Sequence, residues 1–228
     1  MKNASLLAIA TLCVASAAMA GPVESTPLAP VTQPAAQSGG FFLGVDGGAF
    51  WLQEASGHWG NISGDVHFRT GWSIDVPMGY DFGNGFKAFL SVGYDEAGLS
   101  SGHVDVNGTH YEESLQGHAQ IVPIMANSSY SFNLTDRLHW NIGAGLGTVN
   151  YKAPVDGIGG LGIPTGAWNT GSKWVFGFNA FTGLSYDVAP CCALNLGYRY
   201  LYINQARDNL SGGNGNGHSL LGGFTFKF

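Results

Sequence analysis

Six histidines, His58, His67, His103, His110, His118 and His218, stand in or beside polar stretches that also hold Asp65, Asp105, Glu112 and Glu113. An imidazole beside a carboxylate is the usual equipment of a general acid or base, and with a serine it can activate a nucleophile. The spacing here does not assemble such a set. His218 and Ser219 are adjacent, so on an extended strand they face opposite ways. No nucleophile, base and orienting group recur at a spacing that supports a reaction. No spaced Cys/His set resembles a zinc site, and neither a metal nor a cofactor is expected. The glycine-rich stretches "GIGGLGIPTG" and "SGGNGNG" do not lead from a strand into a helix, the context a phosphate cradle requires. The Asn-x-Ser/Thr triplets at Asn61, Asn107, Asn127 and Asn133 read as chance. Cys191 and Cys192 are neighbours. In an oxidising compartment they could bridge each other or a second chain, while a turn carrying two inert thiols is the plainer reading. No catalytic residue is therefore assigned.

The elements that would position these residues are strands. Charged residues make up 11% of the 228, aromatics 13%, and glycine occurs 36 times. About a quarter charged is usual for a soluble domain. After the first 20 residues no apolar run approaches the length of a spanning helix, about 20 residues. The first 20 read as a signal peptide: Lys2, the apolar stretch "LLAIATLCVASAA", and a small-x-small cleavage signature at Ala18 and Ala20 before Gly21. Cys13 follows Leu12, which does not suit lipoprotein processing. Residues 21–40 hold four prolines and read as a disordered periplasmic arm. The formal charge of −6 becomes −7 without Lys2. An acidic chain with no basic stripe excludes nucleic acid as a partner.

From residue 41 the hydrophobic period is two. Eight runs follow, at 41–51, 72–82, 86–94, 120–134, 138–148, 174–186, 194–202 and 218–228. One face of each is apolar and free of charge. The other carries glycine, asparagine and the charged set Asp46, Asp75, Lys87, Asp95, Lys173, Arg199 and Lys227. Pro123 in the fourth run suggests a bulge or irregularity. Connections alternate in length. Short ones are centred on Gly83-Asn84-Gly85, on 135–137 and on 187–193, and long ones cover roughly 52–71, 95–119, 149–173 and 203–217. Short turns on one side and long loops on the other is the plan of a transmembrane barrel. Lipid offers no hydrogen-bond partner, so the sheet must close, the last run pairing with the first. Trp51, Trp72, Tyr94, Trp174 and Tyr202 fall beside the long loops. Trp140 and Tyr186, with Phe82, Phe86, Phe132 and Phe228, fall beside the short turns, giving two aromatic belts.

The segments "LNLGYRYLYI" (194–203) and "LLGGFTFKF" (220–228) resemble the last two strands of the eight-stranded outer-membrane barrel superfamily, the OmpA-type or opacity-protein-like group. The resemblance covers about 41–228. It implies an all-β, closed, up-and-down barrel in the bacterial outer membrane. It also implies that Phe224, Phe226 and Phe228 form an assembly signal read by the barrel-assembly machinery. An even strand count places both termini in the periplasm. The expected partners are outer-membrane lipid and lipopolysaccharide, with a surface ligand or host partner through the long loops. The interior charges are expected to pair as a plug. The leading role is structural or surface-interacting. The second reading is a narrow porin-like conduit, and the third a loop-based lipid-modifying enzyme or protease.

Overall fold

Residues of alternating polarity form strands because successive side chains leave opposite faces of the pleat, so one face can meet lipid while the other is enclosed. The structure, a computed structural model, describes residues 39–53, 55–59, 62–106, 109–158, 169–204, 211–212 and 215–228. The signal segment with Ala18, Ala20 and Gly21, and the arm as far as residue 38, lie outside them. In chain order the strands are β1 (Gly40–Leu52), β2 (Ala55–Trp59), β3 (Ile62–Phe68), β4 (Gly71–Asp81), β5 (Phe86–Val106), β6 (Thr109–Asn133), β7 (Leu138–Ile158), β8 (Asn169–Ala189), β9 (Cys192–Ile203), β10 (Ser211–Gly212) and β11 (Gly215–Lys227). Eight of them close a ring, β1–β4–β5–β6–β7–β8–β9–β11, every pair antiparallel. The seam is β11 on β1, from Phe42 opposite Lys227 to Leu52 opposite Gly217. The Phe228 N–H extends it by donating to the Phe41 carbonyl at 2.8 Å.

The short connections share one rim with the start of β1 and the end of β11. In the first, Gly83 and Gly85 take φ of +74° and +88°, a region open to glycine at little cost. Asp81 accepts from the Gly83 N–H at 2.9 Å and Asn84 from the Phe86 N–H at 3.0 Å, locking the turn locally. In the second, Thr135 Oγ1 accepts from the Leu138 N–H at 3.0 Å. The third is shorter than expected. β8 runs to Ala189 and β9 begins at Cys192, leaving Pro190 and Cys191 to turn the chain. Both cysteines are free thiols, Cys191 exposed and Cys192 half-buried.

The long connections differ most from expectation. Much of 95–119 and 149–173 is strand, because β5, β7 and β8 have 21 residues each and β6 has 25. At about 3.3 Å per residue a strand of that size reaches roughly 70 Å, over twice the ~30 Å hydrocarbon thickness. The excess stands beyond the rim as paired hairpins. Within 52–71, β2 and β3 form a hairpin that also pairs with β5 through β3 and with β10 through β2.

Pro123 interrupts the ladder without shifting it. On the β5 side the rungs at Gly93 and Tyr94 are missing, yet Val92–Ile124 and Asp95–Ile121 keep the same register. Pro77 on β4 does the same against Gly44 of β1. A proline ring has no N–H to donate and needs room beside it. A Cβ on Gly93 would lie 3.0 Å from the Pro123 ring, and one on Gly44 would lie 2.9 Å from the Pro77 ring. Each glycine thus makes space for its neighbour's proline. The apolar faces stand outward: Phe41, Leu43, Trp72, Met78, Leu90, Leu146, Phe176 and Leu196 are among many large exposed side chains.

Candidate functional site

Chemistry-bearing side chains converge inside the barrel. Arg199, on β9, is 4% exposed and reaches across the lumen. Its Nη1 donates to Asp75 Oδ1 of β4 at 3.1 Å, and its Nη2 to Asp95 Oδ1 of β5 at 2.5 Å. Nη2 also meets Ser73 Oγ at 3.1 Å and Ser219 Oγ at 3.2 Å, and Ser73 donates to Asp95. A buried guanidinium needs such partners, since each ion brought out of water costs several kcal/mol unless paired; Arg199 Nε and Asp95 Oδ2 nevertheless lack a hydrogen-bond partner. Asp46 of β1 lines the same space and accepts from Asn195 Nδ2 at a long 3.4 Å.

A second polar group closes the short-turn rim. Lys227 Nζ donates to Asp187 Oδ1 at 3.1 Å, and His139 Nε2 meets Asp187 Oδ2 at 3.0 Å. His139 Nδ1 lies 2.8 Å from Asn133 Oδ1, and Lys87 Nζ lies 3.7 Å from Asp81 Oδ2. Asp187 lies at the end of β8, at the short-turn rim and past the run expected to cross the membrane. Partial burial favours its neutral form, but the hydrogen bonds and charges of Lys227 and His139 outweigh that and hold the carboxyl below the ordinary carboxylate range. Between the two polar groups lie Phe42, Phe89 and Phe181, with ring centroids 5.7 and 5.8 Å apart in edge-to-face contact.

On the other side of Arg199 the lumen is apolar. Phe50, Ala97, Ile121, Met125, Val149, Leu201 and Ile203 pack into one buried cluster, joined by Leu52, Phe68, Tyr151 and Val175. These residues share the inward parity of the charged set but stand nearer the long connections. The lumen is therefore layered: rim ion pairs, an aromatic step, the arginine network, then an apolar layer. Sequence reasoning passed over this last layer. Its signal was present, as apolar residues on the otherwise polar face at the outer ends of several runs.

The interior set is thus divided. Asp46, Asp75, Asp95 and Arg199 come together, Lys87 and Lys227 pair at the rim, and Lys227 finds an aspartate as its parity implies. Lys173 departs from expectation. It has inward parity but is exposed, opposite Tyr151 on the part of β8 nearest the long connection, above the enclosed lumen. Parity assigns a face but not a height. Asp81, Asp187 and His139 were not anticipated as rim partners, nor Ser73, Ser219 and Asn195 as interior ones.

Phe224, Phe226 and Phe228 are exposed on one face of the final strand, Phe228 at 81%. Trp51, Trp72, Trp140, Trp174 and Tyr186 are exposed, and Tyr94 and Tyr202 half-exposed, in keeping with outward belts. Trp140 Nε1 donates to Thr182 Oγ1 at 2.8 Å, so this outward indole N–H has a partner within the sheet. His218 and Ser219 part as expected: His218 Nδ1 meets the Tyr198 hydroxyl at 2.5 Å on the outer face, while Ser219 bonds Arg199 within. His118 is exposed and His67 half-buried. The side chains of His58, His103, His110, Asp65, Asp105, Glu112 and Glu113 lie outside the described residues. Among the described residues no three His, Cys, Asp or Glu side chains form a metal-ligand group.

The family described as outer membrane protein beta-barrel domain matches residues 4–228. Uncharacterized proteins of Brucella abortus and Brucella suis are 27% identical over 158 residues, covering 61% of this chain and 54% of theirs. The chain thus matches about half the length of these curated relatives. Neisserial surface protein A superposes with a TM-score of 0.53 at 22% identity, covering 82% of this chain and 97% of that one. The outer membrane protein OprG of Pseudomonas aeruginosa gives 0.51 at 12% identity, covering 84% and 98%. At such identities the likeness is one of fold.

Proposed function

The chain belongs to the outer-membrane protein β-barrel family, and from that premise we propose that it acts as a closed, non-catalytic barrel with a structural or surface-interaction role. The observation that carries this reading is the layered lumen. A three-residue charged network of Arg199, Asp75 and Asp95 is stacked against an apolar cluster that includes Phe50, Leu201 and Ile203. An ion crossing this path would have to displace paired charges and then pass through an environment without polar partners, each step costing several kcal/mol. Interaction then falls to the hairpins beyond the aromatic belts, presented to lipopolysaccharide and to a surface ligand or host partner. The short-turn rim and both chain ends face the periplasm in this reading, with the terminal Phe228 offered to the barrel-assembly machinery during insertion.

Planar-bilayer recording on refolded protein tests the closed barrel. No discrete conductance steps are expected, and reproducible open-channel steps would establish the conduit instead. A second measurement addresses catalysis. Replacing His58, His67, His103, His110, His118 and His218 together with alanine should leave the cell's lipid A profile unchanged while the barrel still folds. A changed profile would restore the enzyme reading.

A further inference from the structure

The outer wall of the barrel carries two cations without a carboxylate partner. One rung crosses four strands at the level of the outer aromatic belt. Trp72 on β4 lies opposite Glu96 on β5, Glu96 opposite Gln120 on β6, and Gln120 opposite Lys152 on β7. All four face outward, because their sequence neighbours Ser73, Ala97, Ile121 and Tyr151 point into the lumen. Nearer the long connections, the N–H of Arg69, between β3 and β4, donates to the Gly98 carbonyl at 2.7 Å, and Gly98 stands opposite His118. Arg69 lies over Gly98 on the same outer face, since a Cβ on this glycine would meet its side chain at 3.9 Å.

Arg69 and His118 are exposed, and Lys152 is half-exposed. Among the described residues neither Arg69 nor Lys152 makes an ion pair. Glu96, the carboxylate of the rung, accepts instead from the Tyr94 hydroxyl at 2.7 Å, and the Tyr94 ring lies beside Trp72 with centroids 5.1 Å apart. In a chain of formal charge −6, this face is locally positive, and a negative group is its complement. The cations stand on the barrel wall beside the belt, so a ligand reaches them from within the membrane plane, at the level of lipid headgroups. Adjacent strands lie about 4.8 Å apart, so Arg69, His118 and Lys152 together span roughly 15 Å of wall. One phosphodiester does not cover that span, whereas a headgroup with more than one phosphate does.

We propose that Arg69, His118 and Lys152 form a docking site for the phosphates of a multiply phosphorylated outer-leaflet glycolipid, the lipopolysaccharide class of partner. The guanidinium takes phosphate oxygens in its fork, and the ammonium acts as a point charge. His118 and Gln120 offer N–H donors between the two cations, and Trp72 lies below them at the interface. Glu96 repels the phosphates, so its removal acts in the opposite sense to removal of a cation. The site rests on the orientation proposed above, with the long connections outermost.

The test is titration of the full chain, refolded in a neutral detergent, with lipopolysaccharide at low ionic strength, where such contacts are least screened. Each cation near an anionic surface contributes about five-fold, so Arg69→Gln combined with Lys152→Gln should weaken binding about thirty-fold. Glu96→Gln should tighten it. Arg137→Gln, in the short turn at the opposite rim, should bind as the wild type does. Heat-modifiable migration shows that each variant still folds. The wild type should bind dephosphorylated lipopolysaccharide no better than the double variant binds the native form. Equal affinity of the double variant and the wild type would overturn the proposal. Undiminished binding of the dephosphorylated form would also overturn it, assigning the contact to sugars and acyl chains. Phosphatidylglycerol bound as tightly as lipopolysaccharide would overturn the glycolipid as occupant. None of these results depends on how the barrel sits in the cell, and a reversed orientation would show separately as cleavage at the Gly83–Gly85 turn from outside.

Discussion

Arg199 is the residue on which the lumen turns. Among the described residues it is the cation that pairs with Asp75 and Asp95, and Ser73 and Ser219 add contacts to its Nη2. Truncating one partner of a buried ion pair strands the others without solvent. Arg199→Met should therefore cost about 3–5 kcal/mol, read as a lower urea midpoint in vesicles, and Asp75→Asn should cost less because a carboxylate is removed with its charge. At the rim the argument concerns pH. The folded-state pKa of Asp187 is depressed by Lys227 and His139, so the stabilisation is present above the unfolded value near ~3.9 and is lost as pH falls through the folded one. The stability gap between the wild type and Lys227→Met should thus be open at neutral pH and close as the medium becomes more acid than about pH 4. A gap independent of pH would assign Lys227 to packing alone.

At the scale of elements the closing strand matters most. β11 contributes outward aromatics at alternate positions, an inward Lys227, and a main-chain bond from Phe228 to Phe41. Deleting Phe228 removes one main-chain bond at the end of a seam and leaves its eleven paired positions in place. Refolding in detergent should therefore change little. If the residue is also an assembly signal, insertion in cells should fall far more, measured as the fraction of chain that becomes heat-modifiable in isolated outer membranes. Equal losses in both settings would leave only the packing role. The proline–glycine pairs, Pro77 with Gly44 and Pro123 with Gly93, show how strands this long tolerate a residue that cannot donate. A bare neighbour gives the ring room, and the register survives the missing rungs.

For the whole molecule, closure removes every strand edge from the membrane-crossing ring, and the hydrogen-bond ladder must break over a wide front before the barrel opens. Folded protein should migrate differently from boiled protein on a gel. Protease should cut beyond the aromatic belts and leave a core that contains β1, β4 and β9. Cleavage at the Gly83–Gly85 turn from the outside of intact cells would reverse the proposed orientation. In the proposed function the layered lumen and the extended hairpins divide the labour between a closed body and projecting arms.

Period-two alternation, the length rhythm of the connections and the absence of charge on one face made the ring, its strand order and its outward face legible in the sequence. These are local properties, because a pleat puts every second side chain on one side whatever lies elsewhere. Trp72, Leu196 and Phe226 are outward for that reason alone. Height and partnership are not local. Phe50 and Asp46 have the same parity, yet one lies in the apolar layer and the other beside a cavity, and Lys173 with that parity stands outside the lumen altogether. Arg199 meets Asp75 and Asp95 because ring closure and strand stagger bring β9 level with β4 and β5 across the lumen. The sequence by itself determined which side chains face lipid, and only the tertiary structure decided which of the enclosed ones meet, because stagger is a property of the closed ring and of no single strand.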